Sequence, residues 1–99
     1  MNANGCDIDA MIKLRQKIHS YPEGGFDEHV TIKLLGDTLA GFGIDRKNMK
    51  RCAKTGMYVD IMGTGKPDKN AKGINMIALR TDLDGLPMPE NNQKLSYKS

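Results

Sequence analysis

Apolar and polar positions alternate along this chain with two different periods. Ile8, Met11, Ile12 and Ile18 fall on one helical stripe with Leu14 beside it, while Lys13, Arg15, Gln16 and Lys17 leave the opposite side wet. This spacing predicts a helix to about Ser20, with Asp7 or Asp9 as its N-cap. Tyr21-Pro22 ends it, because a residue before proline avoids the helical region. A second helix is expected from about Asp27 or Glu28 to Ala40. Asp27 is its candidate cap, Val30, Leu34, Leu35 and Leu39 stand at core spacing, and Ile32 lies off that line. Gly36 in mid-helix costs roughly 1 kcal/mol against alanine and leaves room for another backbone to approach. Gly41-Phe42-Gly43 reads as a C-cap.

After Gly43 the period shortens. Met49 to Cys52 predicts a short strand and Lys54-Thr55-Gly56 a turn. Met57, Val59 and Ile61 then alternate with Tyr58, Asp60 and Met62, so an antiparallel hairpin is expected. Residues 63–70 have loop composition. Ile74 to Leu79 reads as a mostly buried, central strand, and residues 81–87 leave its C-terminal end. Residues 88–99 carry no strong pattern, and residues 1–6 are polar and expected to fray. The order α-α-β-β-β is of α/β class and packs as two layers. It leaves the last strand few neighbours, so residues 1–99 are expected to be part of one larger domain.

Composition narrows the options without naming a function. Fifteen basic and twelve acidic residues give a net charge of +3, and 38% of the chain is hydrophobic. These values suit an ordinary globular chain and exclude a collagenous one. The longest near-apolar stretch, Ile74 to Leu79, is too short to span a bilayer. The densest basic run, Arg46 to Arg51, has no aromatic residue within it, so it reads as a solvated connection and not as a nucleic-acid footprint. Cys6 and Cys52 form no metal or redox motif. With no secretory signal, a reduced, cytoplasmic setting is the expectation.

Few residues suggest chemistry by spacing alone. Asp82 and Asp84 follow the expected strand, where α/β folds place ligands. They could hold a hard cation, orient a ligand or act as a base, but Asp84-Gly85 is also a common turn dipeptide. His19 sits at a helix C-terminus, where it can serve free carbonyls, and His29 is expected on the surface of the second helix's first turn. Gly63-Thr64-Gly65-Lys66 departs from a phosphate loop, with Asp60 and Pro67 at its required glycine and hydroxyl positions. Nothing marks Cys52 as a nucleophile.

Two longer stretches carry a resemblance. Arg15, His19, Pro22, Glu23, Gly25, Phe26 and Glu28 match an Arg-x-x-x-His-x-x-Pro-Glu-x-Gly-Phe-x-Glu pattern. Ala78-Leu79-Arg80-Thr81-Asp82-Leu83-Asp84-Gly85-Leu86-Pro87, followed by Glu90, is similar to Ala-Leu-Arg-Ala-Asp-Met-Asp-Ala-Leu-Pro and a later glutamate, with Thr81, Leu83 and Gly85 as departures. Thr55-Gly56 and Gly63 look like the hairpin between them. In this the chain, over about residues 8–99, resembles the opening of M20-family metallopeptidases, in the amidohydrolase branch of hippurate, N-acyl-amino-acid and auxin-conjugate hydrolases.

The resemblance implies the incomplete first part of an α/β catalytic domain and a metal-assisted hydrolysis of N-acyl amino acids or similar conjugates. In a full-length member two divalent ions, zinc or manganese, polarise the carbonyl and acidify a bridging water, and a glutamate acts as base. None of the ligands matches a position here: Arg80 replaces the histidine of a His-x-Asp motif, and the other ligands follow Ser99. Asp82 is implied as at most an orienting residue behind the metals. Arg80 and Asp84 brace the same region, His19 and Glu23 fix the helix–loop geometry, and Arg15, Pro22 and Glu28 are structural. This chain alone is expected to hold no cofactor and to be inactive. The substrate would be a small N-acyl amino acid, with no nucleic acid or membrane partner. A homodimer would form through a domain absent here. The alternative is a non-catalytic interaction protein whose partner covers the open sheet.

Overall fold

The computed structural model describes residues 7–66, 73 and 75–99. The expected fraying of residues 1–6, the end of the 63–70 loop and Ile74 lie outside them. Helix α1 spans Ile8–Ser20 and helix α2 spans His29–Gly41. A 3-10 turn at Arg46–Asn48 leads into strands β1, Met49–Cys52, and β2, Gly56–Val59, which pair antiparallel. The α/β class, the two helices and the hairpin are therefore as the sequence predicts.

Local chemistry explains each boundary. Asp7, of the two candidates, caps α1 by accepting the Ala10 amide at 3.1 Å. The end of α2 is closed by a Schellman motif. Gly43, at φ 96°, donates to the Ala40 carbonyl, and Ile44 donates to Leu39. Asp45 caps the short turn through the Lys47 amide. The basic run that starts there is a solvated connection tied to acids: Arg46 reaches Asp37 at 2.7 Å, and Lys47 lies 3.7 Å from Asp45. The Arg46 and Lys33 hydrogen bonds hold the Asp37 carboxyl below its ordinary value.

The start of α2 corrects the sequence reading. Asp27 does not cap the helix; its carboxylate lies 3.3 Å from the exposed His29 ring. Glu23, seven residues upstream of Val30, does the capping instead. Its two carboxylate oxygens accept from the Val30 and Thr31 amides and the Thr31 hydroxyl. A loop that turns back on itself brings that carboxylate to the helix end, which a local cap rule cannot see.

The buried face of α2 is a second correction. Ile32 is 3% exposed, whereas Val30 is 55% exposed. Glu28, Ile32 and Gly36 recur every four residues on one face, and all three are buried. The hairpin selects this face. The Thr55 hydroxyl donates to Glu28 at 2.8 Å, and the space beside Gly36 is bounded by Arg46 and the Met49 sulfur, about 4 Å from where a side chain would begin. The hairpin turn places Ala53 and Lys54 at φ 48° and 68°, a left-handed conformation unusual for either residue.

The third correction concerns the expected central strand. β2 ends at Val59, and residues 75–80 form no strand. Met76, Ile77 and Leu79 are 80%, 84% and 96% exposed. A buried strand needs ladder partners on its edges and cover on its faces, and the described residues supply neither. Among the described residues no helix is long and apolar enough to cross a membrane.

Candidate functional site

The two stretches that carry the resemblance meet in space. The loop after α1 and the 83–91 segment face each other across an open cleft of about 510 Å³, bordered by Arg15, His19, Glu23, Asp84 and Glu90 among others. The contact at its base is backbone to backbone: the Gly85 amide donates to the Glu23 carbonyl at 2.8 Å. Glycine is required there. A Cβ on residue 85 would come within 2.9 Å of the Pro22 Cβ. The Asp84-Gly85 pair thus docks one motif on the other.

Glu23 works with both ends. Its carbonyl holds Gly85 while its carboxylate caps α2. Partial burial would by itself raise the Glu23 carboxyl. The Thr31 hydroxyl, the Val30 and Thr31 amides and the nearby His29 outweigh this and hold it below its ordinary 4.5. His19 does not turn to the carbonyls that end α1; the Ser20 hydroxyl takes the Lys17 carbonyl at 2.7 Å. The His19 Nε2 instead meets a Glu90 carboxylate oxygen at 2.8 Å. The Asn92 amide and His19 together lower the Glu90 carboxyl. Tyr97 packs edge-on against the His19 ring, with the Arg15 guanidinium 5.9 Å from the Tyr97 ring centre.

The remaining sequence candidates divide. Arg15, Pro22 and Asp84 border the cleft. Glu28 lies outside it, buried against Thr55 in the helix–hairpin joint. Arg80 and Asp82 are exposed and 3.8 Å apart, and neither borders the cleft. Glu90, Thr31 and Tyr97 join the cluster although none is singled out by spacing. For Glu90 the available signal was its place at the end of the second motif.

The described residues do not fit a metal centre. Among the described residues, no three His, Cys, Asp or Glu side chains gather closely enough to hold a metal ion. His19 and Glu90 are committed to each other, and Glu23 to α2. The arrangement can dock two chain segments and orient carboxylates.

No family model matches the chain, and no solved structure matches it. Curated relatives do. Thermostable carboxypeptidase 1 of Saccharolobus solfataricus is 35% identical over 92% of this chain and 21% of its own length. Hippurate hydrolase of Campylobacter jejuni is 40% identical over 88% of this chain and 20% of its own. An IAA-amino acid hydrolase of Arabidopsis thaliana is 40% identical over 84% of this chain and 17% of its own. The chain thus spans about a fifth of the length of these relatives. Over that stretch the chain is a homologue of M20-type amidohydrolases, at 33–40% identity.

Proposed function

We propose that this chain is the segment of a metal-dependent amidohydrolase that scaffolds its catalytic domain without supplying metal ligands. The parent enzyme cleaves N-acyl amino acids or similar amide conjugates. The observation that carries the reading is the docking of the two family motifs on each other, through Glu23–Gly85 and His19–Glu90, around one cleft. The names of the hippurate and IAA-amino acid hydrolases support the substrate class. Zinc or manganese ligands, and any dimerising surface, belong to sequence outside these 99 residues. Asp82 orients the metal region only when that remainder is present. A reducing, cytoplasmic location belongs to this reading; among the described residues Cys52 is an exposed free cysteine.

Two assays test this. The purified chain should neither hydrolyse hippurate-type substrates nor bind zinc or manganese tightly; metal-dependent turnover that scales with the chain would overturn the proposal. Exchanged for the matching segment of a hippurate hydrolase, the chain should support turnover. A folded, metal-loaded chimera without activity would also overturn it.

The exposed run Met76, Ile77 and Leu79 favours a second reading, a non-catalytic protein whose partner covers that segment. Stoichiometric co-purification with such a partner from its source would support it. A folded monomer with no partner would count against it.

A further inference from the structure

Glu28 and Thr55 are polar, yet they are only 7% and 1% exposed. A carboxylate in such a place is costly unless donors meet its oxygens. Both oxygens of Glu28 are met: the Thr55 hydroxyl donates to Oε2 at 2.8 Å, and the Asp27 amide donates to Oε1 at 3.1 Å. An apolar contact tolerates sliding, whereas two directed donors hold the carboxylate at one point between the hairpin and the 23–28 loop. Glu23 fastens the other end of that loop. Its carboxylate accepts from the Val30 and Thr31 amides, and its carbonyl accepts from the Gly85 amide. Between the two glutamates, the Asp27 amide also donates to the Gly24 carbonyl at 3.0 Å and closes a turn whose third residue, Phe26, stands at φ 63°. Turns that need this conformation favour glycine there. Phe26 is 64% exposed, so packing of its own ring does not hold it. Such a conformation persists where its surroundings over-determine it, and here a fastened glutamate stands on either side.

These contacts form one line, from Thr55 through Glu28, the turn and Glu23 to Gly85. We infer that Glu28 and Thr55 are positioning residues for the cleft, although neither borders it: through the 23–28 loop they set where the Glu23 carbonyl meets Gly85. Asp84 and Leu86, on either side of Gly85, border the cleft. A shift of the Glu23 carbonyl therefore moves the wall they form. The hairpin in this way sets the seat of the second motif against the first without touching either wall. As geometry of this chain the assignment stands by itself; as an influence on hydrolysis it rests on the proposed function.

Site-resolved amide hydrogen exchange on the whole chain reads this line at its far end, the Gly85 amide. Thr55→Val keeps the shape of the side chain and removes the hydroxyl, and Thr55→Ser keeps the hydroxyl. Losing one such hydrogen bond should speed Gly85 exchange by roughly two- to tenfold in Thr55→Val. Thr55→Ser should restore the parent rate, and amides in the middle of α1 should stay unchanged in both. Parent-like Gly85 exchange in a folded Thr55→Val chain would overturn the assignment. So would a Thr55→Ser chain that behaves like Thr55→Val, or an equal rise throughout the chain. Because Thr55→Val strands a buried carboxylate, Glu28→Met combined with Thr55→Val removes both polar partners together and should show the same selective rise. Failure of both chains to fold would also overturn it, because the pair would then be a requirement of the fold and not a positioning device. In the hippurate hydrolase chimera, Thr55→Val should lower kcat and Thr55→Ser restore it. Turnover unmoved there, with selective Gly85 exchange intact, would refute the influence on hydrolysis and leave the positioning standing. An inactive parent chimera would count against the proposed function alone.

Discussion

The joint between α2 and the hairpin and the stretch from Asn75 to Arg80 are both rich in apolar residues, yet only the first is packed. In the joint, Ile32 is buried between the Glu28–Thr55 hydrogen bond at one end and the space beside Gly36, bounded by Arg46 and Met49, at the other. In the second stretch, Met76, Ile77 and Leu79 stand in solvent. Hydrophobicity is a demand for cover, and an element forms only where the chain can meet that demand. The joint meets it with segments less than thirty residues apart. The 75–80 stretch finds no partner among the described residues.

The sharpest way to break this comparison is to truncate one apolar side chain in each region. Ile32→Ala should cost about 2–5 kcal/mol, because it removes buried methyl groups and leaves a void beside Glu28 and Gly36. Leu79→Ala should stay within about 0.5 kcal/mol, since an exposed side chain loses little contact. Urea unfolding followed by circular dichroism reads both. Equal costs would mean that Leu79 is covered in solution and that the two regions do not differ.

This contrast also explains what the sequence could and could not disclose. Helix positions, the Asp7 cap, the Gly43 end of α2 and the hairpin depend on residues within a few positions of one another, and they were legible. The face that α2 buries was not. Val30, Leu34, Leu35 and Leu39 outnumber Ile32 as hydrophobes, but the hairpin arrives from the side of Glu28, Ile32 and Gly36. The strand expected at residues 74–79 has the right composition, but composition does not supply a neighbour. For the site, Arg15, His19, Pro22, Glu23 and Asp84 could be picked out from motifs, and they do converge on one cleft. That Glu90 closes on His19 depends on a fold-back across seventy-one positions, which no periodicity encodes.

Glu23 gives an intermediate test, because it caps α2, the helix of the packed region. Glu23→Ala should cost about 0.5–2 kcal/mol through the lost helix cap, whereas Asp27→Ala should cost far less. The pH dependence follows in sign from the lowered Glu23 carboxyl. A carboxyl lower in the folded chain stabilises fully above its unfolded value of 4.5, and that contribution is lost as pH falls through the folded value. Asp37 and Glu90 are lowered too and add to the same slope. The informative quantity is therefore the difference between the parent chain and Glu23→Ala, measured by unfolding from about pH 6 down to pH 3. The gap should narrow on acidification. A gap that stays constant would assign the capping to something other than the ionised carboxylate.

A smaller effect than that of Ile32 lies in the hairpin turn, where its sign is opposite. Lys54 holds φ 68° with a Cβ that disfavours it, and Ala53 beside it holds φ 48°. Two such residues in succession persist only because their surroundings over-determine the turn. Here the four-residue register from Met49↔Val59 to Cys52↔Gly56 fixes its ends, and Thr55 is pinned to Glu28 between them. Glycine adopts this region without steric cost, although it also enlarges the freedom of the unfolded chain. Lys54→Gly should therefore raise stability by about 0.5–1 kcal/mol, read as a higher urea midpoint with unchanged slope. A loss of stability would show that the Lys54 side chain contributes a contact that outweighs the backbone strain. A gain would show that packing against α2 holds the turn in a conformation its own residues resist.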